Sequence, residues 1–413
     1  MRSKLKHWLG NLLLASVSLG AVLVFLEFVV FGMLLKPDDV LTNTTINSVV
    51  RYQPGSVADF RHPDGRVSRV TINENGWNST KPHYETARVP GRLRVAVIGD
   101  SYVHASYVNA SEAFPEIIEE QLRKRGIDAE VMRFGMDGAP LSQYLHMLRN
   151  EVAAFQPDVV LVQLIHNDFD ESYRFLKTRY ASSFLKVDVD EQGRATQFPP
   201  VEFQSSSADL LRNSATFRYL YYETNLYLTA KSLVSRYFWG GDDSYDPDFI
   251  VSAVDTRNLD DFDRMARVTR HLISEMADFA NAHGIKLAFA IDAVRETVYG
   301  RNDQGTAKLE RLNAIAADAA RSAQVPFFDL TQTFQRDYAR NQMRLEYAYD
   351  WHWNERANRI VGETLADWLI DNQRLLSNNI NVLGTVLQPR AGRWHSLRKK
   401  RLKSAWGFGC ALL

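Results

Sequence analysis

Three hydrophobic patterns divide the chain. Over residues 8–35 nearly every position is apolar, and no polar face interrupts the run. Such a stretch is long enough to cross a bilayer and too long for the core of a cleavable signal peptide. Arg2, Lys4 and Lys6 precede it, which places residues 1–7 in the cytoplasm and the rest of the chain on the outer side. Residues 8–35 are therefore read as a single transmembrane signal anchor. Glu27 is the one ionisable residue in the run. A charge at the bilayer centre costs about 2.5–3.5 kcal/mol, and less toward the interface, so Glu27 either snorkels at the outer end or meets another helix.

The second pattern fills residues 36–90, which are polar and punctuated by Pro37, Pro54-Gly55, Asp64-Gly65, Asn75-Gly76 and Pro90-Gly91. Short alternating pieces such as 66–72 predict a hairpin, and the region is read as a spacer with a small β appendage. The third pattern occupies 91–372. Val95, Ala96, Val97 and Ile98 are apolar on both faces, as a strand covered by helices on both sides requires. A helical period follows over 112–126, then a strand over 129–134, a turn at 135–140, a helix over 142–155 and a second buried strand ending at His166, Asn167 and Asp168. Helices over 260–283, 306–323 and 355–371, with strands over 285–291 and 326–330, continue the alternation, which predicts an α/β protein with a parallel, doubly wound sheet.

Between 169 and 260 that rhythm stops, so these residues form an insertion between two strands, leaving from the strand end that bears Asn167 and expected to cap the site there. Its aromatics include Tyr173, Phe175, Tyr180, Phe184, Phe217, Tyr219, Tyr221, Tyr222, Tyr227, Tyr237, Phe238 and Trp239. They read either as stacking platforms for sugar rings or as the core of a small subdomain. Residues 373–413 form a basic tail with Arg390, Arg393, Arg398, Lys399, Lys400, Arg401 and Lys403 among Trp394, Trp406 and Phe408, suited to a second contact with an anionic membrane surface.

Composition narrows the chemistry. Lys+Arg and Asp+Glu are both 49, so no global basic field draws nucleic acid, and none is expected as a partner. The one cysteine, Cys410, excludes an internal disulfide and argues against thiolate metal sites and a cysteine nucleophile. The last four residues match a prenylation box, but an outward-facing tail is out of reach of that modification. The acidic loop of Asp242, Asp243, Asp246 and Asp248 lacks the EF-hand pattern, and no metal or other cofactor is expected.

Ser101 falls where the first buried strand ends, which is where open α/β sheets place their chemistry. A serine hydroxyl is a weak nucleophile, so it needs a base, and His352 is the candidate. Asp350 stands two residues before it and faces the same side if the chain is extended there, where it can hold the imidazole tautomer. The Ser101 and Gly138 backbone N–H groups and the Asn167 side-chain amide are the candidate oxyanion hole; one such donor is worth about 2.7–4 kcal/mol in a transition state. Structural alternatives stand beside each: Ser101 as a helix cap, Gly138 and Asn167 as turn residues, and His352 as a packed histidine between Trp351 and Trp353. Asp100 and His166 are read as structural.

GDSYV at 99–103, the glycine turn ending in Gly138, HND at 166–168 and DWHWN at 350–354 occur in the order and rough spacing of the SGNH (GDSL-type) hydrolases. INENGWNST at 72–80 resembles the approach to the first block in the membrane-anchored bacterial branch of that superfamily. One residue separates Asp350 from His352, where two are commoner in the family; Ile165 stands where a glycine is usual. The resemblance covers about 51–371 and implies a three-layer, flavodoxin-like fold with serine esterase, lipase or acyltransferase chemistry. The expected protein is thus a membrane-anchored enzyme of the inner membrane. Its catalytic domain, 91–372, faces the periplasm or extracytoplasmic side, and it acts on acylated carbohydrate or other ester substrates. An inactive glycan-binding or scaffold protein of the same fold is the rival reading.

Overall fold

In a computed structural model of the chain, residues 93–99 alternate with period two: Val95 and Val97 turn to one face of a sheet, Ala96 and Ile98 to the other, and all four are fully buried. The structure describes residues 2–175, 183–202, 211–220, 256, 259–301, 303–348, 350–372 and 375. Tyr180, Tyr221, Tyr222, Tyr227, Tyr237, Phe238, Trp239, the acidic loop at 242–248 and the basic tail with Cys410 lie outside the described residues.

The central sheet contains β1 (Leu93–Gly99), β2 (Ala129–Gly135), β3 (Val159–Leu164), β4 (Lys286–Ile291) and β5 (Phe327–Asp329), all parallel, in the order β5-β4-β3-β1-β2. That is the flavodoxin-like order, and its direction reverses between β1 and β3, where such sheets open a crevice at their C-terminal ends. The helices are α1 (Phe114–Lys124), α2 (Leu141–Asn150), α3 (Phe262–Ala282), α4 (Gln304–Ser322), α5 (Thr331–Asn341) and α6 (Glu355–Asp371). Apolar residues of α2, α3 and α4 join Ala96 and Ile98 in one core layer, and those of α1, α5 and α6 join Val95 and Val97 in the other. The expected α/β, three-layer architecture is therefore the observed one.

Two elements differ from the periodicity, each for a local reason. The helix expected over 142–155 ends at Asn150, and a separate turn follows over Val152–Phe155. The break is at Glu151, whose carboxylate is held by both terminal nitrogens of Arg51 at 2.5 and 2.7 Å and by Asn47 at 3.1 Å. Helix α5 has no counterpart in the expected elements, because its sequence is mostly polar and it buries only Thr333 and Phe334.

Residues 36–90 are an integral part of the domain rather than a free spacer. The expected hairpin forms between Val57–Arg61 and Val67–Thr71, and a second one, Asn43–Ile46 with Val49–Tyr52, precedes it. Val49, Val50, Tyr52, Trp77 and Tyr84 are buried in the same layer as α2. The described part of the insertion likewise runs along α2 and α3: Ser142 Oγ donates to Leu185 O (2.6 Å), Leu185 N–H to Gln143 Oε1 (2.8 Å), and Arg264 pairs with Asp188. Tyr173 and Phe184 are buried in the same core layer as α2 and α3, part of the main domain's core and not of a separate subdomain's own.

Residues 6–35 form one helix long and apolar enough to cross a membrane. Unlike a core helix, it leaves Trp8, Leu12, Leu13, Val17 and Leu23 more than half exposed. Glu27 meets another part of the protein, the turn at 214–216.

Candidate active site

The chain leaves β1 through Gly99 and Asp100 and turns at once into a short helix over Ser101–His104, so the Ser101 side chain stands at the strand's C-terminal end. Asp100 caps that turn: its Oδ1 accepts from the Tyr102 N–H at 2.9 Å, while Oδ2 lies 3.2 Å from Ser101 Oγ. The tight entry needs a small neighbour on β2. At Gly135 a Cβ would stand 2.1 Å from the His104 backbone nitrogen, so only glycine fits.

His352 arrives from the other end of the chain, on the strand Asp350–Trp353, which pairs with Glu346–Tyr347. Its Nε2 lies 2.8 Å from Ser101 Oγ, and its Nδ1 lies 2.5 Å from Asp350 Oδ1. Asp350 Oδ1 also accepts the His352 backbone N–H at 2.7 Å. The extended backbone between the two residues is what puts both on one side. The imidazole is packed as well as hydrogen-bonded: Tyr107 stacks on it at 5.0 Å and 19°, and Tyr102 tilts against it at 5.1 Å.

Charge reinforces this geometry. Burial lowers the His352 pKa, but the Asp350 carboxylate, with Asp100 and Asp137 further off, more than offsets it and lifts the ring above its ordinary value. Burial would raise Asp350, yet the His352 ring and backbone N–H and the Tyr107 hydroxyl hold it below the ordinary carboxylate value. Asp100 is pushed up to about 7, mainly by burial.

Gly138 lies in the turn after β2, with φ +68°, a conformation that favours glycine. Among the described residues, neither its backbone N–H nor that of Ser101 has a hydrogen-bond partner. Asn167 follows β3; its Oδ1 is buried without a partner, and its side chain hydrogen-bonds the Glu171 carboxyl, which burial pushes up to about 7. That bond works against burial by favouring the ionised carboxylate, so Nδ2 is its donor, and the second hydrogen of the amide remains for another acceptor. Ser101, Gly138 and Asn167 thus stand at the ends of the adjacent strands β1, β2 and β3. His166 is used elsewhere, bonding Asn313 of α4 at 2.9 Å.

Several residues that periodicity and spacing did not single out hold the site together. Arg295 is buried; one terminal nitrogen donates to Tyr102 Oη at 2.8 Å and the other to the Trp351 carbonyl, with Asp292 at 3.3 Å. Asp292 in turn accepts from Trp353 Nε1 at 2.9 Å. This network seats the His352 strand on the helix that starts at Ser101. Arg295→Met leaves Asp292 buried without its counter-charge, so unfolding in urea is expected to show a loss of about 3–5 kcal/mol; an unchanged midpoint would refute that role. On the other side, Asp137 Oδ1 lies 2.7 Å from Nδ1 of the buried His104, and Tyr52 Oη lies 2.9 Å from the same nitrogen, tying the Gly138 turn to the Ser101 helix and the N-terminal hairpin. Of these, Tyr102, Asp137, Trp351 and Trp353 fall within the stretches the sequence marked, at 99–103, 135–140 and 350–354, whereas Arg295, Asp292, His104 and Tyr52 carried no signal there. Among the described residues, no group of three or more His, Cys, Asp or Glu is arranged to hold a metal.

Comparison with known proteins adds the family. The model of the GDSL-like lipases/acylhydrolases matches residues 95–200. Among solved structures the chain is similar to an acetyl xylan esterase, AlAXEase, at 13% identity over 67% of this chain and 100% of that one, with a TM-score of 0.38. It is also similar to the lipase/acylhydrolase from Enterococcus faecalis, at 11% identity over 67% of this chain and 95% of that one, with a TM-score of 0.37. A two-domain esterase (CEX) active on acetylated mannans aligns at 8% identity over 68% of this chain and 49% of that one, with a TM-score of 0.35. No curated protein matches the chain. The segment that carries β1, β2 and β3 with Ser101, Gly138 and Asn167 is thus the part of the chain that matches the GDSL-like lipases/acylhydrolases.

Proposed function

We propose that the chain is a membrane-anchored serine esterase or O-acyltransferase acting on acyl esters, acetyl esters among them, of a glycan or other envelope component. The observation that carries this reading is the continuous hydrogen-bonded line from Asp350 through His352 to Ser101, joining residues 251 positions apart. Ser101 Oγ attacks the ester carbonyl while its proton passes to His352 Nε2. The resulting oxyanion is met by the Ser101 and Gly138 N–H groups and the Asn167 amide. Collapse expels the alcohol, which takes the proton from Nε2, and leaves an acyl group on Oγ. Water or a sugar hydroxyl then attacks that ester, passing its own proton to Nε2, and Oγ is released as the hydroxyl. Asp350 stays ionised throughout and steadies the imidazolium.

The helix over 6–35 with Arg2, Lys4 and Lys6 before it supports a single-pass anchor with the domain on the extracytoplasmic side. The rim is compatible with a sugar: Trp351 is 38% exposed and its ring is centred 5.8 Å from the His352 ring, and a partly exposed indole beside the site is a surface carbohydrates stack on. The purified full chain in detergent is expected to release acetate from p-nitrophenyl acetate and from acetylated xylan. The base must be neutral to take the Ser101 proton, so activity is absent at acid pH and rises through the His352 pKa, with a midpoint above the ordinary 6.5. No acetate from any ester at any pH would favour the glycan-binding rival.

A further inference from the structure

The anchor is longer than a bilayer needs. About 20 residues span the hydrocarbon, and counted from Trp8 they end near Glu27, leaving Phe28 to Leu35 apolar beyond that level. At that point the surroundings of the helix change. Large side chains from Trp8 to Phe25 are mostly uncovered, whereas Leu26, Glu27, Val29, Val30 and Phe31 are partly covered by the protein itself. The helix also widens from α-type to π-type hydrogen bonding at Leu26, a local change that proteins often place at functional positions.

What covers it is the insertion. Glu27 accepts from Ser214 Oγ at 2.8 Å, from the Ala215 N–H at 2.7 Å and from the Thr216 N–H at 3.0 Å. One turn further along the anchor, the Phe31 ring lies 5.1 Å from that of Tyr219. Arg218 reaches past the end of the helix to Asp39 at 3.2 Å, the direction in which a basic side chain snorkels out of an apolar layer. Leu211 and Leu220, which flank this turn, are 55% and 39% exposed.

We propose that residues 211–220 are a second membrane-contacting element, held by Glu27 at the outer boundary of the bilayer with Leu211 and Leu220 against lipid. This rests on the anchor reading above, and it deepens that reading by naming the lipid surface as the partner of the insertion. Three facts carry it together: the contact is made at the level where the spanning length runs out, the turn's Ser214 hydroxyl and Ala215 and Thr216 N–H groups are satisfied by the anchor's own carboxylate, and the flanking Leu211 and Leu220 each keep an exposed apolar surface. With two points of attachment the active domain cannot swing freely about the anchor, so its site works at a fixed height above the membrane.

The test uses the full chain in phospholipid vesicles, with Cys410→Ser as background and a nitroxide at one position at a time. Leu220→Cys and Leu211→Cys report on the turn, Val22→Cys on the anchor, and Gln197→Cys on an exposed hairpin of the insertion. Labels at 220 and 211 are expected to be several-fold less accessible to a water-soluble nickel relaxant, and more accessible to oxygen, than the label at 197. Glu27→Ala is expected to move both toward the behaviour of 197 while turnover of p-nitrophenyl acetate is retained. Labels at 211 and 220 that behave like 197 while 22 is in lipid overturn the inference and leave the anchor standing. A water-exposed label at 22 overturns both, and labels unmoved by Glu27→Ala overturn the role of Glu27.

Discussion

Ser101→Ala is expected to abolish covalent labelling by a fluorophosphonate and to lower kcat for p-nitrophenyl acetate by roughly 10⁴- to 10⁶-fold. The wild-type hydroxyl lies 2.8 Å from Nε2 of His352, the base in the proposed reaction. Residual activity would come only from the oxyanion donors acting on water. The fold should be unaffected, because the substitution removes only the hydroxyl: the backbone N–H at this position stays, and the Asp100 cap on Tyr102 is intact. Equal labelling of wild type and variant, with unchanged urea denaturation, would remove Ser101 from the reaction and the proposed function with it.

His352→Ala should cost about as much in kcat as Ser101→Ala, and the double variant little more than either single one, because the two residues act as a unit. Additive losses would mean that the imidazole acts apart from the serine. Asp350→Asn separates orientation from proton transfer. The imidazole remains, but the carboxylate that holds its tautomer and raises its pKa is gone, so kcat is expected to fall by roughly 10⁴-fold. The residual activity should then rise at a lower pH than in wild type, because the charge that favoured the imidazolium has been removed. A midpoint that stays in place would place the source of the raised pKa elsewhere, in Asp100 or Asp137.

The packing of His352 bears on how such measurements are read. Tyr102 and Tyr107 enclose the ring on two sides, and Arg295 fixes the Trp351 carbonyl next to it. The sequence allowed either a packed histidine or a base, and the structure has a ring that is packed and also faces the serine. Packing restricts its motion and thereby keeps Nε2 aimed at Ser101, at little entropic cost during the reaction. Substitutions at the two tyrosines should for that reason act on kcat more than on KM.

Much of the fold was legible because hydrophobic period is a local property. The strand at 129–135 and the helix over 355–371 could be read from their own residues, and the core layers follow from the alternation along β1. Helix α5 was not legible, since its stability comes from one buried face of two residues set against the other layer. Nor was the end of α2, which is decided by Arg51 on a hairpin 100 residues away.

From residue order alone came the long apolar helix near the start of the chain, the α/β alternation, and the candidates Ser101, Gly138, Asn167, Asp350 and His352, because apolar runs, strand ends, glycine turns and an Asp-x-His spacing are short-range features. What required three dimensions was their meeting: the 2.8 Å approach of His352 to Ser101, the Arg295 network behind it, and the grip of Glu27 on the insertion. Each joins side chains that no local pattern relates, and each depends on the sheet and its covering helices closing before the distant partner is in reach. A chain can advertise a nucleophile, but whether a base faces it is settled by packing between segments that carry no information about one another until they touch.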